Sequence, residues 1–381
     1  MATFDRELLE TPISETVAEI EAKVFVAPQW KLVWWKFRKH KVALFCGVII
    51  ILIYLIALFA DFLAPFDPTL TNSNYLYVPP QLIHFFNAQG QFGGYVYEYT
   101  SKVDLEALRR EFFLETSIEI PLKFVAKGWP YKFLGLIKTD VHLFGPVDPT
   151  QSVYLLGGDR LGRDLLSRVL MGTRISMSIG LAGVFLSLVL GIILGGISGY
   201  YGGSIDQLIQ RTIDFLRSIP SIPLWMGLAA ALPLHWPPEA VYFGITVILS
   251  LIGWTSLARV VRGRFLSLRE EDFVTAARLE GASNRRIIFY HMLPAFTSHI
   301  IASVTLAIPS MILSETSLSF LGLGMREPVV SWGVLLQDAQ DIRSIATAPW
   351  LLTPALAVII SVLALNFLGD GLRDAADPYA R

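Results

Sequence analysis

Residues 272–294 read DFVTAARLEGASNRRIIFYHMLP, and they stand between two long apolar segments. A helix comes first, Gly281 supplies a stop, and a second basic, amphipathic helix is expected to end at Pro294. The wider loop, 259–291, carries Arg259, Arg262, Arg264, Arg269, Arg278, Arg285 and Arg286 against Glu270, Glu271, Asp272 and Glu280. A loop this basic between membrane spans stays in the cytoplasm. A folded helix–turn–helix is more than a connector needs, and it reads as a handle for another protein.

The 381 residues are 53% hydrophobic and 17% charged, with a mean hydropathy of +0.53. Soluble domains carry roughly 25% charge, so the chain belongs to the membrane class. The net charge of −1 offers no field for nucleic acid. The single cysteine, Cys46, lies in an apolar run, which excludes an intramolecular disulfide and a cysteine metal cluster. Residues 1–28 are polar and hold no apolar stretch of the kind a cleavable signal needs.

The expected fold is an all-α polytopic membrane protein with six transmembrane helices. The first occupies 42–60 behind Lys36, Arg38, Lys39 and Lys41; the others are 175–199, 207–234, 241–258, 292–314 and 344–369. The basic flank places the N-terminus in the cytoplasm, and six spans return the C-terminus to the same side. Residues 29–41 mix Trp30, Trp34, Trp35 and Phe37 with cations, which suits a helix lying at the headgroups. Four parts follow: a polar tail at 1–28, the interfacial helix and first span at 29–60, an outside insertion at 61–155, and a core at 156–381. The insertion is rich in Tyr, Phe and Trp and too apolar for a linker. A helical period at 103–115 and an alternation at 117–126 predict a small mixed α/β unit. Gly191, Gly195 and Gly199 share one face of the second span and predict close helix packing.

Chemistry is absent from the pattern. No GxxxxGK[ST], HExxH or GxSxG occurs, so the chain is not expected to hydrolyse nucleotide or to act as an enzyme. His291 and His299 straddle a proline and make poor metal geometry. Asp159, Arg160, Arg163, Asp164 and Arg168 read as a salt-bridged helix start. Glu315, at the outer end of the fifth span, suits either structural pairing or a pathway or gate.

TAARLEGASNRRIIFYHMLP resembles the coupling-loop signature of ATP-binding-cassette importer permeases. Ala276, Ala277, Gly281, Leu293 and Pro294 match in register, while Thr275 and His291 stand where Glu and Ile are usual. LGGDRLGRDLLSRVLMGTRISMSIG at 156–180, SLSFLGLGMREPVVSWGVLL at 317–336, GDGLRDAADPYAR at 369–381 and ADFLAPFDP at 60–68 resemble the second permease subunit of dipeptide, oligopeptide and nickel importers. Most of 72–150 lies outside the likeness. The resemblance implies a type I importer permease fold and a heterodimer with a homologous permease. It also implies two ATPases gripping the loop around Asp272, Thr275, Ala276, Ala277, Gly281, Ala282, Leu293 and Pro294, and a periplasmic binding protein that delivers peptides. No cofactor is expected on this chain; ATP and magnesium belong to the ATPases. A secondary transporter or channel would need intramembrane charge, and a membrane enzyme would need a catalytic set in the insertion; neither feature is present.

Overall fold

The computed structural model describes residues 29–86, 92–104, 109–233 and 235–376. Helix α1 (Gln29–Phe37) is separate from α2 (Lys41–Leu58): the chain breaks at 38–40, and His40 Nδ1 accepts from the Ala43 amide at 3.3 Å to start α2. On α1, Trp34 and Trp35 are exposed while Phe37 is buried against Ala43 and Ala375. Most of α2 points its leucines, isoleucines and phenylalanines outward, as a lipid-facing span must, and only Ala43, Cys46, Ile50 and Ala57 are buried. The short α3 (Ala60–Leu63) ends the span.

The insertion that follows is a sheet. Strands β1 (His84–Phe86), β2 (Phe92–Asp104), β3 (Arg109–Phe133) and β4 (Ile137–Pro146) form an antiparallel meander in the order β1-β2-β3-β4. The expected mixed α/β unit is therefore corrected. Residues 109–115 are strand, paired through Arg110 with Val103, Phe112 with Ser101 and Leu114 with Tyr99; 105–108 lie outside the described residues. Aromatic and branched side chains favour a pleated surface once a partner strand exists, and most of that partner, β2, lies before the window that carries the helical pattern. Val96, Ile120 and Val153 form a small core with Phe66, Leu122 and Leu155. The unit is bolted to the membrane part. His142 Nδ1 lies 3.0 Å from the Asp61 carbonyl, Trp129 Nε1 donates to the Ala64 carbonyl at 3.3 Å, and Ser167 Oγ accepts from the Phe66 amide at 3.0 Å.

The core opens with α4 (Leu165–Tyr201), longer at both ends than the expected 175–199. Asp164 caps it, accepting from the Ser167 amide at 2.8 Å. The expected third span, 207–234, is two helices: α5 (Gly203–Ser218) and α6 (Ser221–Ala230). Pro220 forces Ile219 to extended backbone, φ −88° and ψ 130°, and ends α5; Pro223 is tolerated in the first turn of α6. Next comes α7 (Pro238–Leu268), then α8 (Asp272–Leu279), and, after an irregular helical stretch, α9 (Thr297–Phe320). The chain closes with α10 (Trp332–Gln337), α11 (Ile342–Thr347) and α12 (Thr353–Ala376). Among the described residues five helices are long and apolar enough to cross a membrane, with α6 a shorter apolar helix beside them.

The glycine face of α4 packs on α7. A Cβ on Gly195 would meet the Ala258 carbonyl at 2.5 Å, and one on Gly199 would meet the Arg262 carbonyl at 2.7 Å. Small residues here let the two backbones approach.

Candidate functional site: the loop opposite the sheet

The ends of α4 and α7 remote from the sheet carry the handle. Arg259, Arg262 and Arg264, expected in a loop, lie on the continuous α7. Arg262 forks onto Asp206 of α5, Nε to Oδ1 at 2.5 Å and Nη2 to Oδ2 at 2.6 Å, and Arg259 pairs with Asp214. These two cations clamp α5 to α7 and are not free to meet a partner.

Helix α8 is anchored by one face. Val274 and Ala277, three residues apart, are buried among Phe265, Ile287, Met292, Phe296 and Tyr200. Asp272 sits in the first turn, where a negative charge suits the helix N-terminus. Phe273, Thr275, Ala276 and Leu279 remain exposed, Leu279 at 85%. The end is a Schellman cap: Gly281 takes φ +79°, its amide donates to the Arg278 carbonyl at 3.0 Å, and the Ala282 amide donates to the Ala277 carbonyl at 3.0 Å. Only the glycine adopts that backbone without strain. Ala282 is half-buried behind it.

The return path is equally fixed. The Tyr200 hydroxyl donates to Asn284 Oδ1 at 2.8 Å, and the Arg278 guanidinium lies 5.6 Å from the Tyr200 ring. Residues Ile287–Met292 form a π-helical turn. Pro294 has no N–H to return to that turn, which is one reason the regular helix does not run through it. Leu293 is half-buried and Pro294 exposed; Phe296 then breaks the chain before α9. Arg285, Arg286, Phe289 and Tyr290 line an open cleft, with Phe289 and Tyr290 exposed. Of the two departures from the signature, Thr275 is exposed and His291 half-buried.

The residues singled out in the sequence lie on and beside α8, and of the side chains buried beneath it only Ala277 was among them. Val274, Ile287 and Met292 hold the handle, and Phe273, Leu279, Phe289 and Tyr290 present its apolar surface. The i, i+3 pair Val274/Ala277 was the legible signal; the packing of Ile287 and Met292 beneath it had none.

At the other end, the charge cluster is a salt-bridged helix start. Asp159 Oδ2 meets Arg163 Nε and Arg168 Nη1, each at 2.6 Å, and Glu327 Oε1 meets Arg163 Nη2 at 2.7 Å and Arg168 Nη2 at 3.0 Å. Glu327 comes from the far loop after α9 and could not be paired by inspection of the sequence. Burial pushes the Asp164 carboxyl up to about 6. Glu315 is fully enclosed on α9. It accepts from Ser319 Oγ at 2.8 Å and Ser176 Oγ at 3.3 Å, and Ser176 Oγ in turn accepts from the Trp332 amide at 3.1 Å. Among the described residues no group of three or more His, Cys, Asp or Glu could hold a metal ion.

Comparison with known proteins bears on this geometry. The profile of the binding-protein-dependent transport system inner membrane component matches residues 187–381, and that of the N-terminal membrane domain of oligopeptide transport permease C matches 28–80. The oligopeptide transport system permease protein OppC of Haemophilus influenzae is 39% identical over 244 residues, 64% of this chain and 76% of that one. The dipeptide transport system permease protein DppC of the same organism is 31% identical over 346 residues, 91% of this chain and 93% of that one. A chain of the inward-facing MetNI methionine ABC transporter covers 56% of this chain and 98% of its own, at 18% identity and a TM-score of 0.45. With a family profile over more than half its length and a relative aligned almost end to end, the chain belongs to the inner-membrane permease components of binding-protein-dependent ABC transporters.

Proposed function

We propose that the chain forms half of the translocation pore of an importer for di- and oligopeptides. Its relatives carry those names, and they are transport permeases, not enzymes. A homologous permease completes the pore, two ATPases grip α8 and the turn at Gly281, and a periplasmic binding protein delivers peptide on the sheet side. ATP and magnesium are held by the ATPases. Both termini face the cytoplasm, and α5 with α6 makes up the sixth crossing. Asp272, Thr275, Ala276, Ala277, Gly281, Ala282, Leu293 and Pro294 form the frame of the coupling element. Glu315 is a structural tie near the outer gate.

One observation carries this reading: a short helix fixed by Val274 and Ala277 on one face and by a Schellman cap at its end presents Phe273, Leu279, Phe289 and Tyr290 to solvent. Apolar side chains on a rigid mount are what a partner groove takes up. Nucleotide-driven closure of the ATPases would move such a mount as a rigid body.

The test is Leu279→Asp, which changes an exposed side chain and leaves the packing under α8 intact. It should abolish co-purification of the ATPases while the chain inserts at the parent level. Ala277→Asp puts an unpaired charge beneath α8, at a cost on the order of 3 kcal/mol, and should fail the same assay. ATPase recovery at the parent yield from Leu279→Asp would refute the coupling role.

A further inference from the structure

The β3–β4 hairpin turns through Phe133, Leu134, Gly135 and Leu136, closed by the Gly135 amide on the Lys132 carbonyl and the Leu136 amide on the Phe133 carbonyl, each at 3.0 Å. Leu134 has φ +49° and Gly135 φ +75°. Tight hairpin turns with two left-handed residues favour Asn-Gly or Gly-Gly. A leucine at the first of these positions is strained, and a merely structural turn gains nothing from it. The tip is also apolar and bare: Leu136 is 85% exposed and Ile137 65%.

Its position says what covers it. Phe133 stacks on Phe59 at 5.9 Å and meets the edge of Phe62 at 6.5 Å, at the end of α2. Leu134 and Gly135 line a cavity of about 420 Å³ with Tyr54 and Leu58 of α2, Met177 and Leu181 of α4, and the ion-paired Asp61 and Arg174. Leu55, Leu58, Leu181 and Phe185 are exposed on those two helices, and the tip continues this apolar belt past the end of the span. Lys132 and Lys138 flank it, exposed, and lie directly opposite each other across the ladder. Like charges in that position repel unless an anion sits between them.

We propose that this tip is seated in the phospholipid leaflet that faces the sheet. Leu134, Leu136 and Ile137 lie among the upper acyl chains, an acyl chain fills the cavity beneath the turn, and Lys132 and Lys138 share lipid phosphates. Hydrophobic insertion and basic attraction are the two signals that together hold a peripheral element on a bilayer. The proposal rests on α2 and α4 as spans and not on the identity of the cargo.

The experiment uses the full chain in its co-expressed complex, in vesicles, with Cys46→Ser and a fluorophore on Leu136→Cys or, far up β3, on Ser117→Cys. Lipids doxyl-labelled near the headgroup should quench position 136 at least about twofold more than position 117. Equal quenching at the two sites overturns the proposal, and so does a label at 136 that lipid reaches only after the partner subunits are stripped away, since a protein then covers the tip. In the parent, labelled phosphatidylglycerol should half-quench at a concentration about fivefold or more below labelled phosphatidylcholine, and Lys132→Gln with Lys138→Gln should remove the difference. Equal half-quenching concentrations in the parent overturn the lysine–phosphate contact.

Discussion

At Gly281 a Cβ would meet nothing within 4 Å, yet the residue sits at φ +79°. Substitution there is a question of backbone alone. Gly281→Ala should cost about 1–2 kcal/mol of local stability, concentrated in α8 and its cap. Amide exchange across 272–283 should quicken about tenfold while the spans keep their protection; uniform exchange would refute a local effect. Asp338 offers a second single-residue test. Burial raises its carboxyl from 3.8 to about 6, against the opposing Arg160 guanidinium 3.0 Å away. A carboxyl raised on folding contributes stability that is complete below 3.8 and lost as pH climbs through about 6. Melting curves of the parent and Asp338→Asn should therefore diverge as pH rises across that window, the parent losing ground. Asp164 shifts the same way and is common to both proteins, so it cancels in the comparison. A pH-independent difference would argue against the shift at Asp338.

Among elements, what could be read in advance depended on whether the deciding partner was near in sequence. The loop at 272–294 was legible in its first helix and its glycine stop, which are local, whereas the expected second helix comes out as a three-residue turn and a π-helical turn at Ile287–Met292. Cys46 and the glycine face of α4 were legible for the same reason: one sits in an unbroken apolar run, the other repeats at helical spacing. The alternation at 117–126 was legible and falls within β3, but 109–115 was not, because Phe112 and Leu114 take strand geometry from β2; Tyr99 and Phe112 meet at 5.9 Å, an aromatic contact no window over 103–115 contains. The division of α5 from α6 lay in plain view at Pro220, but the apolar count across 218–234 outweighed it. The close approach of α4 and α7 carries its own test. Gly195→Val would drive a side chain into the Ala258 backbone and should destabilise the folded chain by about 1–3 kcal/mol, seen as a lower melting temperature in detergent, whereas Gly263→Ala, inside a helix with open space around it, should hold or slightly raise the temperature. Equal effects would show that the contact does not hold the pair.

The whole molecule has two working ends, and their sidedness can be checked directly. With Cys46 replaced, cysteines at Ser283 beside the handle and Ser117 on the sheet are both exposed. An impermeant thiol reagent added outside intact cells should modify position 117 and spare 283; the reverse, or equal modification, would contradict the proposed orientation. Between those ends α9 runs unbroken for about 36 Å, with Pro309 inside it, from the π-helical turn beside the handle to the loop that carries Glu327. At its far end Glu315, Ser319 and Ser176 tie α9 to α4, and Arg163, just before α4, and Arg168, in its first turn, tie to Glu327 of the loop beyond. These ties join α4, α9 and the loop beyond into one body at that end among the described residues. On the proposal made above, peptide would pass along the outside of this chain, between it and the homologous permease, and not through its middle.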